Sequence, residues 1–100
     1  MATVTLPRSI QRIVDRGIAE VRPEKIVLFG SRARGDANPA SDYDLAFFGV
    51  TDHAAWVHFA AEMIAEPPTL FGLDIMRFEH VSPEMQASIL RDGVTLYVHE

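Results

Sequence analysis

Lys25-Ile26-Val27-Leu28-Phe29-Gly30-Ser31-Arg32-Ala33-Arg34-Gly35 is the stretch from which the fold can be read. Its first five residues are β-branched or apolar almost throughout, as in a central strand covered on both faces. Gly30 ends the run and permits an unusual φ or a close backbone approach, and Ser31 can cap the helical turn that follows. Such a turn offers free N–H groups to an anion, and Arg32 and Arg34 lie within it. A plain strand-to-helix turn with two solvated arginines would carry the same residues. A P-loop is excluded: Gly30 and Gly35 have its spacing, but Asp36-Ala37 stands where Lys-Ser/Thr should follow.

Working outward, helical and extended segments alternate. Ile10, Ile13, Val14, Gly17, Ile18 and Val21 recur at helical spacing, which predicts a helix over Ser9 to Val21 stopped by Pro23. Tyr43 to Val50 reads as a second strand. Asp52 can cap a helix over Ala54 to Ala65, with Trp56, Phe59, Ala60, Met63 and Ile64 inward and Pro67-Pro68 ending it. Leu73 to Phe78 reads as a third strand, Ser82-Pro83-Glu84 as the cap of a helix to about Arg91, and Val94 to Val98 as a last strand after Asp92-Gly93. The order implies an α/β (α+β) domain over residues 1–100, with a small mixed sheet of about four strands flanked by helices.

Three carboxylates stand out against this frame. Asp42 and Asp44 are two apart at the start of a strand, so they project from one face, which continues with Ala46 and Phe48. Asp74 interrupts the third strand on a face that continues with Met76 and Phe78. Neighbouring strands would gather all three at one end of one sheet face. Like charges at the rim of an apolar surface cost free energy without a cation, and oxygen-rich sets of this kind suit Mg²⁺. A capping Asp42 with a solvated Asp44, and a strand-end Asp74, are the plainer alternatives. His53, His58, His80 and His99 show no zinc spacing and read as surface residues. Ser31 has no histidine or lysine at a hydrolase offset.

Composition sets the outer limits. At 100 residues and 48% hydrophobic, the chain has length for one ordinary domain, which buries roughly two-thirds of its unfolded surface. With no cysteine, thiol nucleophiles, disulfides, zinc ribbons and iron–sulfur clusters are excluded. No apolar run reaches membrane-spanning length, and MATVTLPRSIQ lacks the basic-then-apolar pattern of a leader, so a cytoplasmic protein is expected. The formal charge of −5 opposes sequence-independent nucleic-acid binding but not a nucleotide substrate. Eight of the nine basic residues are arginine, Lys25 being the exception; no weight falls on that bias.

Gly30-Ser31, ten residues, then Asp42-Tyr43-Asp44 resembles the G-S-x10-D-x-D signature of the DNA polymerase beta nucleotidyltransferase superfamily. The finer string Gly30-Ser31-Arg32-Ala33-Arg34-Gly35 with Ser41-Asp42-Tyr43-Asp44-Leu45 is similar to its minimal nucleotidyltransferases, the MNT proteins. The likeness extends over essentially the whole chain, to Gly93, Leu96 and Tyr97. It implies that Asp42, Asp44 and Asp74 ligate two Mg²⁺ ions, with Asp74 also activating an incoming hydroxyl. It further implies that Gly30 and Ser31 grip the triphosphate of ATP, and that Arg32 or Arg34 offsets its charge. Larger members carry acceptor-binding domains for which this length leaves no room. MNT proteins act beside a small helical HEPN protein, often as antitoxin, by moving AMP onto one of its tyrosines. A hetero-oligomer with a HEPN partner is thus implied. A non-catalytic subunit that neutralises its partner by contact, and a free-standing transferase for an aminoglycoside-like molecule, are the other expectations.

Overall fold

A computed structural model of the chain describes residues 5–100; the reading of Met1 to Val4 as part of a leader-free N-terminus lies outside them. The elements are α1 (Arg8–Val21), β1 (Lys25–Phe29), α2 (Ser31–Arg34), β2 (Tyr43–Phe48), α3 (His53–Ala65), β3 (Leu73–Arg77), a 3-10 turn (Phe78–His80), α4 (Pro83–Asp92) and β4 (Val94–Val98). They form one mixed sheet in the order β3-β2-β1-β4, with β1 antiparallel to β2 and β4, and β2 parallel to β3. The parallel pair needs a long crossover, and α3 supplies it. Among the described residues no helix is long and apolar enough to cross a membrane.

Local chemistry sets most boundaries. The Asp52 carboxylate accepts from the Ala55 N–H at 3.0 Å and the Ser82 hydroxyl from the Met85 N–H at 3.2 Å, as expected of caps. β2 stops two residues short of the expected Val50, because Gly49 turns the backbone to φ +68°. Phe78 leaves the strand predicted for it and enters the 3-10 turn. Its ring stays on the same side of the sheet, stacked on Phe48 at 4.1 Å.

The two faces are unequal. Ile26, Leu28, Leu45 and Phe47 lie under α1 and α3, packed against Ile10, Ile13, Val14 and Phe59, with Leu73 and Ile75 partly buried beside them. The chain's own helices therefore cover the face whose cover the sequence left open. The other face is thinner: Val27, Phe29 and Ala46 pack on Ile89 of α4, with Met76 and Phe78 alongside. Ile64 is a correction. Expected inward, it is 78% exposed, because α3 docks along Phe59 and Met63 and the next residue lies about 100° further round the helix.

Gly17 brings α1 close to the sheet: a Cβ there would lie 2.7 Å from the Phe47 ring. Phe47 is fully buried and cannot retreat. Gly17→Ala gains about 1 kcal/mol of helix propensity but incurs overpacking of about 1–3 kcal/mol. The expected outcome is a lower urea midpoint with an unchanged slope; a more stable variant would show that Phe47 has room to move.

Candidate active site

The Gly30–Ser31 turn is shaped by a carboxylate. β1 and β2 pair so that Phe29 faces Asp44, and the Asp44 side chain lies against the Gly30 Cα, where any Cβ would collide with its Oδ2. Gly30 also has φ +76°, a region that L side chains avoid. Both demands fall on one residue. The Gly30 carbonyl accepts from the Ala33 and Arg34 N–H groups at 3.0 Å and opens α2, so Gly30, not Ser31, is the N-cap. The expected Ser31 cap is thereby corrected: Ser31 is the first helical residue, and among the described residues its hydroxyl makes no hydrogen bond.

The two arginines of this turn have different surroundings. Arg32 donates from Nε and Nη2 to the Ser41 carbonyl at 3.2 and 3.0 Å, and its guanidinium lies 4.4 Å over the Tyr43 ring, with Phe71 beyond. It ties the 35–42 loop so that Asp42 arrives at the head of β2. Arg34 points elsewhere, 3.3 Å from Asp36 and 3.6 Å from Asp92 of α4. Its charge is felt at Asp44.

Asp44 and Asp74 are register partners across the parallel β2–β3 pair, so their Cα atoms are about 4.8 Å apart. Asp42 lies against Gly72, where a Cβ would overlap its Oδ1, and the Tyr43 N–H donates to the Gly72 carbonyl at 2.8 Å. Gly72 reads in the sequence as punctuation only; a glycine one residue ahead of an Asp-bearing strand was the available signal. Among the described residues, none of the three carboxylates takes part in an ion pair or a side-chain hydrogen bond. Burial, then Asp74, then Asp42 push Asp44 up to about 6, and Arg34 pulls weakly the other way. All three bring hard oxygen donors lacking a counter-charge, a set that fits Mg²⁺.

They do not converge on one point. Among the described residues, the acid and imidazole groups whose ligand atoms all lie within 4.8 Å of one another are Glu20 of α1 and His58 and Glu62 of α3. There Arg16 bridges Glu20 and Glu62 at 3.0 Å each, which accounts for that cluster as an ion-pair network. His53, His58, His80 and His99 are all exposed, as expected.

The family described as "Polymerase beta, Nucleotidyltransferase" matches residues 11–100. The chain belongs to the polymerase beta nucleotidyltransferase family. No curated protein matches it in sequence. Its fold is similar to that of a toxin–antitoxin structure with AMP-PNP, at 20% identity and TM-score 0.64, covering 92% of this chain and 73% of that one. It is also similar to the MntA–HepT toxin–antitoxin structure, at 18% identity and TM-score 0.55, covering 90% and 68%. A third likeness is to the complex of tri-AMPylated Shewanella oneidensis HEPN toxin with MNT antitoxin, at 18% identity and TM-score 0.56, covering 90% and 67%. At these identities the likeness establishes a shared fold: the mixed four-stranded sheet with flanking helices of the nucleotidyltransferases.

The raised pKa of Asp44 has a signed consequence. Ionised Asp44 destabilises the metal-free fold; that cost is absent below its unfolded value of 3.8 and complete above about 6. Metal-free Asp44→Asn should therefore melt above wild type at neutral pH, the gap closing as pH falls through that window. Equal melting temperatures at neutral pH would remove the burial cost and repulsion inferred here.

Proposed function

We propose that this nucleotidyltransferase moves the adenylyl group of ATP, with Mg²⁺, onto a tyrosine hydroxyl of a helical HEPN partner, as the antitoxin of a minimal nucleotidyltransferase–HEPN pair in the cytoplasm. The observation that carries the reading is the set of three unpaired aspartates beside the Gly30–Ser31 turn, on the sheet face that α4 leaves open at this end. The toxin–antitoxin structures with the same fold, one with AMP-PNP and one with an AMPylated HEPN toxin, support the choice of nucleotide and partner.

Each residue then has a task. Asp42 and Asp44 hold the metal with Asp74, and bound Mg²⁺ supplies charge neutralisation to the triphosphate and Lewis acidity to the reacting oxygens. The Ser31 hydroxyl and the first N–H groups of α2 donate to the terminal phosphates. Arg34 offsets their charge, and Arg32 keeps the loop that delivers Asp42. Asp74 takes the proton of the acceptor hydroxyl as its oxygen bonds to the α-phosphorus; the bond from that phosphorus to the bridging oxygen breaks and pyrophosphate leaves.

The test is transfer of label to a co-expressed HEPN partner from ATP labelled at the α-phosphate, beside a γ-labelled control. Label is expected from the α position only, abolished in Asp44→Asn and slowed by about 10²–10⁴-fold in Asp74→Asn. Arg34→Ala should raise KM for ATP more than it lowers kcat. Label from the γ position would make the protein a kinase. Undiminished neutralisation of the partner by an Asp42→Asn/Asp44→Asn variant would favour a role by contact alone.

A further inference from the structure

β3 is the outer strand of the sheet, paired on one side only. The Tyr43 N–H bonds to the Gly72 carbonyl, and a parallel ladder that begins so turns the peptide groups of Asp74 and Met76 toward β2. Those of Leu73 and Ile75 point to the open edge, where nothing among the described residues pairs with them. Beside that edge runs a groove of about 380 Å³ between α3 and β3, walled by Trp56, Met63, Ile64, Leu73 and Ile75, with Asp74 also on its lining. An unpaired edge next to an apolar groove is the arrangement that accepts an added strand: the backbone pairs, and alternate side chains enter the groove.

Charge narrows the occupant. Among the described residues, Glu66, the neighbour of groove-lining Pro67, has no ion-pair partner, and in the metal-free chain neither do Asp42, Asp44 and Asp74. With a net charge of −5 on the chain, the complementary segment carries lysine or arginine. Successive side chains of an added strand point to opposite faces. A residue alongside Asp74 that presents its side chain on the carboxylate face therefore has both neighbours directed toward α3.

We infer that β3 receives an extended, basic segment of the acceptor polypeptide as a fifth strand, its hydroxyl residue facing Asp74 and the apolar residues on either side seated in the groove between α3 and β3. The hydroxyl's role rests on the nucleotidyl-transfer reading; the strand pairing and the groove do not. The acceptor is thus a particular segment, apolar–hydroxyl–apolar with basic flanks, whose hydroxyl oxygen is handed to the α-phosphorus while its proton goes to Asp74 and pyrophosphate departs.

The test needs no catalysis. The chain is titrated, without ATP or metal, with a lysine-flanked Val-Tyr-Val peptide while the emission of Trp56, its one tryptophan, is followed. Saturable binding is expected, weaker for a glutamate-flanked peptide. N-methylation of the peptide nitrogens that face β3, or Ile64→Glu in the protein, should weaken it by about tenfold, equivalent to about 1.4 kcal/mol. Ile64 is 78% exposed, so that variant should melt as wild type does. Absence of saturable binding, or binding indifferent to both changes, overturns the inference. So does a dimer, seen by light scattering and broken by Ile64→Glu, because a second copy then fills the edge. A chain that takes the peptide as expected yet neither binds Mg²⁺-ATP nor labels an acceptor upholds the groove and overturns nucleotidyl transfer.

Discussion

The Asp44 carboxylate occupies the volume that a Cβ on residue 30 would need, and much of the site follows from that contact. Residue 30 must be glycine for this reason and again because its φ is +76°. The positive φ turns the chain out of β1 into α2, and that turn presents Ser31 and the free N–H groups of α2 beside the carboxylate. Antiparallel pairing of Phe29 with Asp44 brings the two motif halves together although ten residues separate Ser31 from Asp42. The glycine and the aspartate are thus two sides of one steric contact, which is why either half of the signature says little without the other.

The fold divides stability and chemistry between the faces of the sheet. Under α1 and α3, large side chains such as Phe47, Phe59 and Ile13 are almost completely buried; burial of each contributes about 1.5–3 kcal/mol. On the α4 face the buried cluster is smaller, and beyond it stand the aspartates. Raising Asp44 to about 6 costs free energy that no pairing within the described residues recovers. A fold with a strong core on one side can carry that cost on the other. Burial and like-charge repulsion of this sort are what a divalent cation would relieve, so on the proposed reading a cost in the metal-free chain would become affinity for the metal.

Much of this was legible in the sequence because it rests on short-range patterns. Alternation along β2 and β3 predicted one face for Asp42, Asp44 and Asp74, of which Asp44 and Asp74 are register partners while Asp42 precedes β2; helical spacing picked out Ile10, Ile13, Val14 and Val21, all buried. Strand order was not legible, since pairing depends on contacts between distant residues, and neither was the cover of Leu45 and Phe47. The Ser31 cap failed because a helix can begin one residue earlier than its capping-type residue when a glycine supplies the turn. Ile64 failed because apolarity does not fix how far round a helix the docking line extends. Gly72 and the Glu20–His58–Glu62 cluster were hidden for a common reason: each owes its meaning to a residue on another element.

The arginines of α2 show how one turn can serve both structure and chemistry. Arg32 and Arg34 are two apart, about 200° round the helix, so they cannot act on the same side. Arg32 lies over Tyr43 and against the Ser41 carbonyl, where a planar guanidinium stacks and donates at once. Lysine would keep the charge there but lose that combination. Arg34 is held less tightly, by exposed Asp36 and by Asp92, whose own carboxyl is kept below the ordinary range mainly by Arg91 and also by Arg34. Contacts shared in that way are weak enough to exchange. The cation near Asp44 is therefore the less constrained of the two, while the cation that fixes the loop is already engaged by the Ser41 carbonyl and the Tyr43 ring. The sequence presents both arginines alike, and only their neighbours separate the anchored charge from the looser one.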